Sequence, residues 1–284
     1  MNLLLAAALL PCLLWDKGPP PSNIPICPPA ANRIKLPTPA TSFRGHIASA
    51  TRAPWVTSNG WRFLRQPDGH FAYDAPGPTA ALAAAEAFSY QVHAGIHTDD
   101  RGLGPLGDML AFLKSLPDED LRPVVNIGFL DDGSPQSGEF MNLLVRRNLL
   151  FKVVKSPDPK LDLTVELGTP EYPRSEAANP SLLAEKARAR LTDEKRLLRI
   201  YGSEVVVGRL LGNGTAARLL LLNYGAARNA VNGTRIRVLG SYPHQHAMQF
   251  GASALDLQDV VVQNGATEFT VPELKTFGVI DLTR

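Results

Sequence analysis

Apolar positions between residues 124 and 154 change their period twice, and that change outlines a structural unit. Val124 to Leu130 is a nearly unbroken apolar run that stops at Asp131-Asp132-Gly133-Ser134, as a buried strand stops at a turn. Ser134 or Ser137 can cap a helix through Met141, Leu144, Val145 and Asn148, whose apolar positions recur at three and four. Leu150 to Val154 follows as a second strand. Strand, polar turn, helix and strand make the unit from which parallel sheets are wound, and ligands sit beyond the C-terminal ends of such strands.

The same patterns extend to both sides. Before this unit, strands are predicted around His46-Ile47-Ala48, Gly60 to Leu64, Phe71-Ala72-Tyr73 (edge-like) and Ala94 to Thr98. Helices are predicted over Thr79 to Val92, which is alanine-rich with Leu82, Ala85 and Phe88 on one face, and over Leu106 to Leu116, stopped by Pro117. After it, Leu161 to Leu167 alternates as a strand, and a helix runs through Leu183, Ala187 and Leu191, with a further turn from Thr192. From residue 204 onward, strands predominate: Glu204 to Leu210, Arg218 to Tyr224, Thr234 to Leu239 and Glu268 to Val271. Asn213-Gly214, Asn232-Gly233 and Asn264-Gly265 separate them, and Asn-Gly is the strongest short hairpin signal. Arg235 and Arg237 alternate with Ile236 and Val238, giving one buried and one wet face. The expected fold is α/β plus all-β: a flavodoxin-like parallel unit with preceding βα units, then a C-terminal antiparallel β-sandwich.

Composition narrows the partners. The chain has 284 residues, 44% hydrophobic and 20% charged, with a net charge of +2. No basic block offers a stripe for phosphates, so a dedicated nucleic-acid binder is not expected. Both cysteines, Cys12 and Cys27, lie near the N-terminus; neither a disulfide framework nor a zinc site is expected in the main body, and no cofactor or metal is implied. Residues 1–17 contain an apolar core, Leu3 to Leu14, of signal-segment length and too short to span a bilayer. An extracytoplasmic location, with no transmembrane helix in the mature chain, follows from that reading. Residues 18–43 carry prolines at 19, 20, 21, 25, 28, 29, 37 and 39 and are expected to be an extended tether.

The order of elements resembles the rear half of multi-domain bacterial glycoside hydrolases. Asn59-Gly60-Trp61, the alanine-rich helix, the 94–98 strand and the 106–116 helix resemble the closing βα units of a glycosidase barrel, covering 44–120. Residues 121–203 resemble the flavodoxin-like, glutamine-amidotransferase-like domain that follows such barrels. Residues 204–284, with Arg218 to Tyr224, Thr234 to Val238 and the closing Phe277 to Leu282, resemble their terminal sandwich. A closed eight-strand barrel needs roughly 200 residues, and only about eighty precede the parallel unit, so a complete cylinder is not expected. The amidotransferase likeness lacks its cysteine.

Candidate chemistry rests on carboxylates and aromatics. Asp131, Asp132 and Ser134 sit at a strand C-terminus, where carboxylates can bind sugar hydroxyls or Mg²⁺; the plainer reading is a turn plus helix cap. Asp99 and Asp100 hold the equivalent place one strand earlier. Glu86 is the lone charge in an apolar helical run, where a raised pKa would suit a general acid, or where it simply faces solvent. Glu86 with Asp99 or Asp131 is the pairing available for glycoside hydrolysis. Trp55, Trp61 and Tyr73 can stack on sugar rings or pack in the core. His244 and His246 form a two-imidazole pair with no third ligand in the sequence nearby. Asp131, Asp99 and Glu86 are therefore the expected catalytic residues, with Asn59, Trp61, Asp132 and Ser134 on the substrate. The leading reading is a non-catalytic or degenerate carbohydrate-associated module binding saccharide or a partner. Its rivals are a small glycoside hydrolase and a structural envelope protein.

Overall fold

The computed structural model describes residues 10–29, 32–42, 54–252 and 254–284. The strand expected at 46–48 and the first nine residues of the expected leader lie outside them.

The first described strand already belongs to a sheet. Strands β1 (Cys12–Leu13), β2 (Ile34–Leu36), β5 (His70–Asp74) and β6 (His93–His97) form a parallel sheet in the order β1-β6-β5-β2. A two-stranded antiparallel sheet, β3 (Ala40–Ser42) with β4 (Trp55–Thr57), lies between β2 and β5 in sequence. The segment expected to be a leader and a tether thus supplies three sheet strands, β1, β2 and β3. Cys12 is bonded to Cys27. The Leu13 amide donates to Pro25 O (2.8 Å) and the Cys27 amide donates to Leu13 O (2.9 Å), so Pro25–Cys27 covers the outer edge of β1. Contrary to the expected edge position, β5 is central, paired in parallel with both β2 and β6. Gly60–Arg65 is a short helix, α1, rather than a strand. Phe63 meets Phe71 edge-on at 4.8 Å between centroids, and that tertiary contact overrides the strand preference of an aromatic-rich hexapeptide. Helices α2 (Thr79–Ser89) and α3 (Asp100–Ser115) follow β5 and β6.

A second parallel sheet forms from β8 (Ile127–Leu130), β9 (Phe151–Val154) and β10 (Leu163–Glu166), in the order β10-β8-β9. Helix α4 (Pro135–Arg146) links β8 to β9, and α5 (Pro180–Lys195) packs beside α4. The return from β9 to β10 crosses β8 at Gly128. A Cβ there would sit 2.9 Å from Leu161 and 3.2 Å from Val154, so the missing side chain admits the crossing.

The C-terminal sandwich packs β11 (Leu198–Tyr201), β14 (Val231–Leu239), β17 (Ala266–Leu274) and β16 (Gln258–Gln263) against a five-stranded sheet. That sheet runs β15 (His244–Gln249), β18 (Phe277–Thr283), β13 (Ala216–Asn223), β12 (Val206–Gly212) and β7 (Arg122–Pro123). Its inner face joins Leu219, Leu221 and Ile280 to Ile236, Val238 and Phe269. Its outer face sends Leu220, Leu222 and Val279 into the main core shared with α2. Buried on both faces, β13 tolerates four consecutive leucines. The Asn264-Gly265 turn has φ of 51° and 70°, as a two-residue type I′ hairpin requires. Asn232-Gly233 instead lies within β14, where Gly233 (φ 66°) falls at the step facing Pro272, which has no amide to donate.

Candidate functional site

Glu86, Asp131, Asp132 and Asp99 are each engaged internally, whereas Asp100, in the first turn of α3, is exposed. Glu86, on α2, is fully buried. Its Oε1 accepts from the Asn59 amide (2.7 Å) and the Tyr224 hydroxyl (2.5 Å), and its Oε2 accepts from Asn59 Nδ2 (3.0 Å) and the Tyr73 hydroxyl (2.6 Å). The Ser58 hydroxyl lies between Glu86 Oε1 (3.2 Å) and the Tyr224 oxygen (2.9 Å). Burial, reinforced by the nearby Glu86 charge, pushes both phenols well above their ordinary range, so they remain donors. Glu86 thereby ties α2 to β5, to the 58–59 turn and to the end of β13. These partners enclose it, and none of its surface reaches solvent. Asn59, expected on substrate, is buried as a donor to Glu86 and to Pro37 O (2.9 Å).

Asp131 does stand at the end of β8, but Arg65 occupies the place expected for a ligand. The guanidinium grips the carboxylate with two bonds (2.7 and 2.8 Å) and also donates to Ser134 O (3.1 Å). Trp61 has guanidinium groups of Arg62 and Arg65 near its ring, 4.3 and 5.1 Å from the centroid, and packs against Gly138. Arg146 lies 4.0 Å from the Trp55 ring centroid, and Tyr73 is buried. Tyr73 is therefore committed to the core, whereas Trp55 and Trp61 are half-buried beneath arginines. Asp132 pairs with Arg174 (2.6 Å) and accepts from the Ser134 amide (2.9 Å). Partial burial raises its pKa, but hydrogen bonds from the serine turn and Arg174 outweigh that and hold the carboxyl well below the usual range. Ser134 caps α4 by accepting from the Ser137 amide (3.1 Å). Asp99 caps α3, accepting from the Gly102 amide (3.1 Å) and the Gly77 amide (2.8 Å). His244 and His246 lie on edge strand β15, and among the described residues no three metal-ligating side chains converge.

The sheet itself offers a different surface. In β5 and β6, Phe71, Tyr73, Ala94 and Ile96 face α1 and α2, while the alternate residues point the other way. The register places His70 opposite His93, Ala72 opposite Gly95 and Asp74 opposite His97. Residues paired directly across parallel strands share a face. The side chains agree: the His70 and His93 rings stack at 5.1 Å, and His97 Nδ1 lies 3.2 Å from Asp74 Oδ1. Side chains of Asp74 and His97 are 85% and 44% exposed. Lys35 lies opposite Ala72 on β2, and Leu14, following β1, lies over Gly95. A polar, solvent-facing row with three imidazoles, a carboxylate and a lysine thus occupies the face that helices leave open. Its period of two is present in the sequence as His-x-Ala-x-Asp and His-x-Gly-x-His, a pattern that short strands alone do not mark as a surface.

An open hollow of about 420 Å³ lies over α5 among Glu185, Arg188, Ala189, Thr192 and Asp193. One cavity of about 210 Å³ lies at the N-terminal edge of the first sheet among Phe88, Leu113, Leu116, Leu121, Leu211 and Arg218. Another of about 100 Å³ lies where Thr41, Thr79 and Leu82 meet Tyr224, Arg228 and Thr276. Both are smaller than the roughly 300–1,000 Å³ of ligand pockets. No helix among the described residues is long and apolar enough to cross a membrane.

No protein-family model matches the sequence, and no curated protein matches it. Among solved structures, α-L-fucosidase isoenzyme 2 from Paenibacillus thiaminolyticus aligns with a TM-score of 0.58 at 9% identity, over 76% of this chain and 60% of that one. The fold is glycoside-hydrolase-like. A GH42 β-galactosidase from G. stearothermophilus aligns at 0.48 and 6% identity, over 89% of this chain and 63% of that one. A β-galactosidase from Rahnella sp. R3 aligns at 0.46 and 9% identity, over 80% of this chain and 56% of that one. The chain thus spans about 60% of the length of the glycosidases it resembles. Measured against a closed glycosidase barrel of eight strands, the first parallel sheet of this glycoside-hydrolase-like fold has four among the described residues.

Proposed function

We propose that the chain is a non-catalytic, carbohydrate-associated module that holds a saccharide against the open sheet face bearing His70, Asp74, His93 and His97. The observation that carries this reading is that face: parallel sheets are ordinarily covered on both sides, and here one side carries hydrogen-bonding groups to solvent. The likeness to a fucosidase supports a sugar as the occupant. The engagement of Glu86, Asp131 and Asp99 in internal bonds supports the absence of hydrolysis, which needs two carboxyls flanking an open bond. Within the same reading, residues 44–120 descend from closing barrel units and 121–203 from a flavodoxin-like domain cut to three strands.

Export belongs to the proposal as well. A Cys12–Cys27 disulfide suits an oxidising compartment. A leader compatible with that bond ends before Cys12, because cleavage beyond it would remove one partner and β1. Thiol titration of the denatured, unreduced protein should find no free thiol; two free thiols would remove the support for export.

A glycan array with wild type and a His97→Ala, Asp74→Ala double variant tests the binding reading. Retention of at least one saccharide class by wild type and its loss in the variant are expected. Chromogenic glycosides should remain intact, and turnover abolished by Asp131→Asn would replace the module by an enzyme.

A further inference from the structure

The sandwich edges meet solvent differently. Edge strand β7 is two residues long and carries Arg122 and Pro123, a short, charged and proline-bearing margin of the kind that resists further pairing. Strand β16 ends the other sheet among the described residues, and its six residues are all exposed, with neither Lys nor Pro. Val260, Val261 and Val262 are 42%, 37% and 39% exposed. The guard on this strand is a bulge between Gln258 and Val261, where Asp259 has φ 50° and its carbonyl accepts from Arg235 Nη1 (2.8 Å). Beyond the bulge the ladder is regular: Val261 faces Glu268, Val262 faces Thr267 and Gln263 faces Ala266. Val261 and Val262 therefore lie on opposite faces of the sheet. Gln263 and Ala266 flank a two-residue hairpin and bond to each other, so Val261 also bonds toward β17, and the amide and carbonyl of Val262 point away from it.

We infer that β16 is a self-association edge, to which β16 of a second copy of this chain adds antiparallel with the twofold axis at Val261. A twofold contact presents one patch to itself, so the strand must complement its own sequence. In this register Val260 meets Val262 of the second copy, Val262 meets Val260, and Val261 meets its own counterpart. Asp259 meets Gln263 of the second copy, a carboxylate against an amide donor, so the one charge of the strand never faces its like. Moving the axis to Val262 would set Val261 against Gln263 and leave a single valine pair. Apolar side chains on both faces and unpaired main-chain groups between them are what an added strand covers. Edge pairing alone is smaller than a standard interface, so the dimer is weak.

Sedimentation velocity without reductant tests the edge. Wild type should pass from monomer to dimer within about 1–300 µM. Val261→Lys, at an exposed position, sets two ammonium groups face to face on the axis and should weaken the dimer at least about tenfold while keeping the unfolding midpoint of the monomer. Val261 lies in a non-hydrogen-bonded pair across the axis, with Cα atoms about 4.5 Å apart, within disulfide reach. Val261→Cys should therefore link the two copies under mild oxidation, and Gln258→Cys should not. A wild type monomeric throughout that range, a dimer indifferent to Val261→Lys, or a dimer linked through Gln258→Cys and not Val261→Cys would overturn the inference.

Discussion

The two parallel sheets of this protein meet solvent in opposite ways. In the three-stranded sheet, Ile127, Gly128 and Phe129 of β8 are all buried. One face packs Phe129 against Phe140 of α4, and the other is crossed by the return segment at Gly128. In the four-stranded sheet, the described helices cover the Phe71 and Tyr73 side, and the reverse side carries His70, Asp74, His93 and His97. Parallel strands buried on both faces are apolar throughout, whereas one open face imposes alternation. The difference separates residues that hold the molecule together from residues available to a partner.

That separation can be attacked from the covered side first. Glu86→Ala leaves buried phenol and amide donors without an acceptor and should cost about 3–5 kcal/mol in urea unfolding. Tyr224→Phe, which removes one donor and spares the carboxylate, should cost about 1–3 kcal/mol. Cys27→Ser frees the segment beside β1, and the separation of 15 residues implies a loss of about 3 kcal/mol. Gly128→Val should cost about 1–3 kcal/mol by overpacking the crossing, whereas His70→Val on the open face should stay within about 0.5 kcal/mol. Equal losses for those two variants would erase the contrast between the sheets. Acid should act more gently on the covered sheet's rim. Asp132 is held below the ordinary value of 3.8, so its stabilisation is present above that pH and is lost as pH falls toward the lowered value. Asp132→Asn should flatten that limb of the stability curve. The smallest effect on stability and the largest on saccharide retention are expected for His97→Ala.

Much of the fold could be read from the chain because it rests on local signals. Asn264-Gly265 announced its hairpin, and the apolar run ending at Asp131 announced β8. The parallel and antiparallel halves were distinguishable from Ile236 and Val238 alternating with arginines. Elsewhere distant partners decided. Gly60 to Leu64 became helical through Phe63 meeting Phe71, and the Pro-rich stretch yielded β2 by pairing with β5. Glu86 was conspicuous as a lone charge in an alanine-rich helix, but its role depends on Asn59, Tyr73 and Tyr224, the last 138 positions away. Arg65 gave no hint that it would fill the end of β8, since 66 positions separate it from Asp131. The alternation of His70, Asp74, His93 and His97 was present in the letters, and only the parallel register shows that those side chains share one surface.

The Pro25–Cys27 segment has one more consequence. An unguarded sheet margin recruits strands from other molecules, and in a closed barrel no margin exists. Here a cross-linked hem of a few residues seals one side where a barrel would continue, while among the described residues β2 on the opposite side has no such seam. Reducing agents should therefore do more than soften the fold: they unpick the hem, and self-association that begins at Leu13 becomes the price of the open architecture.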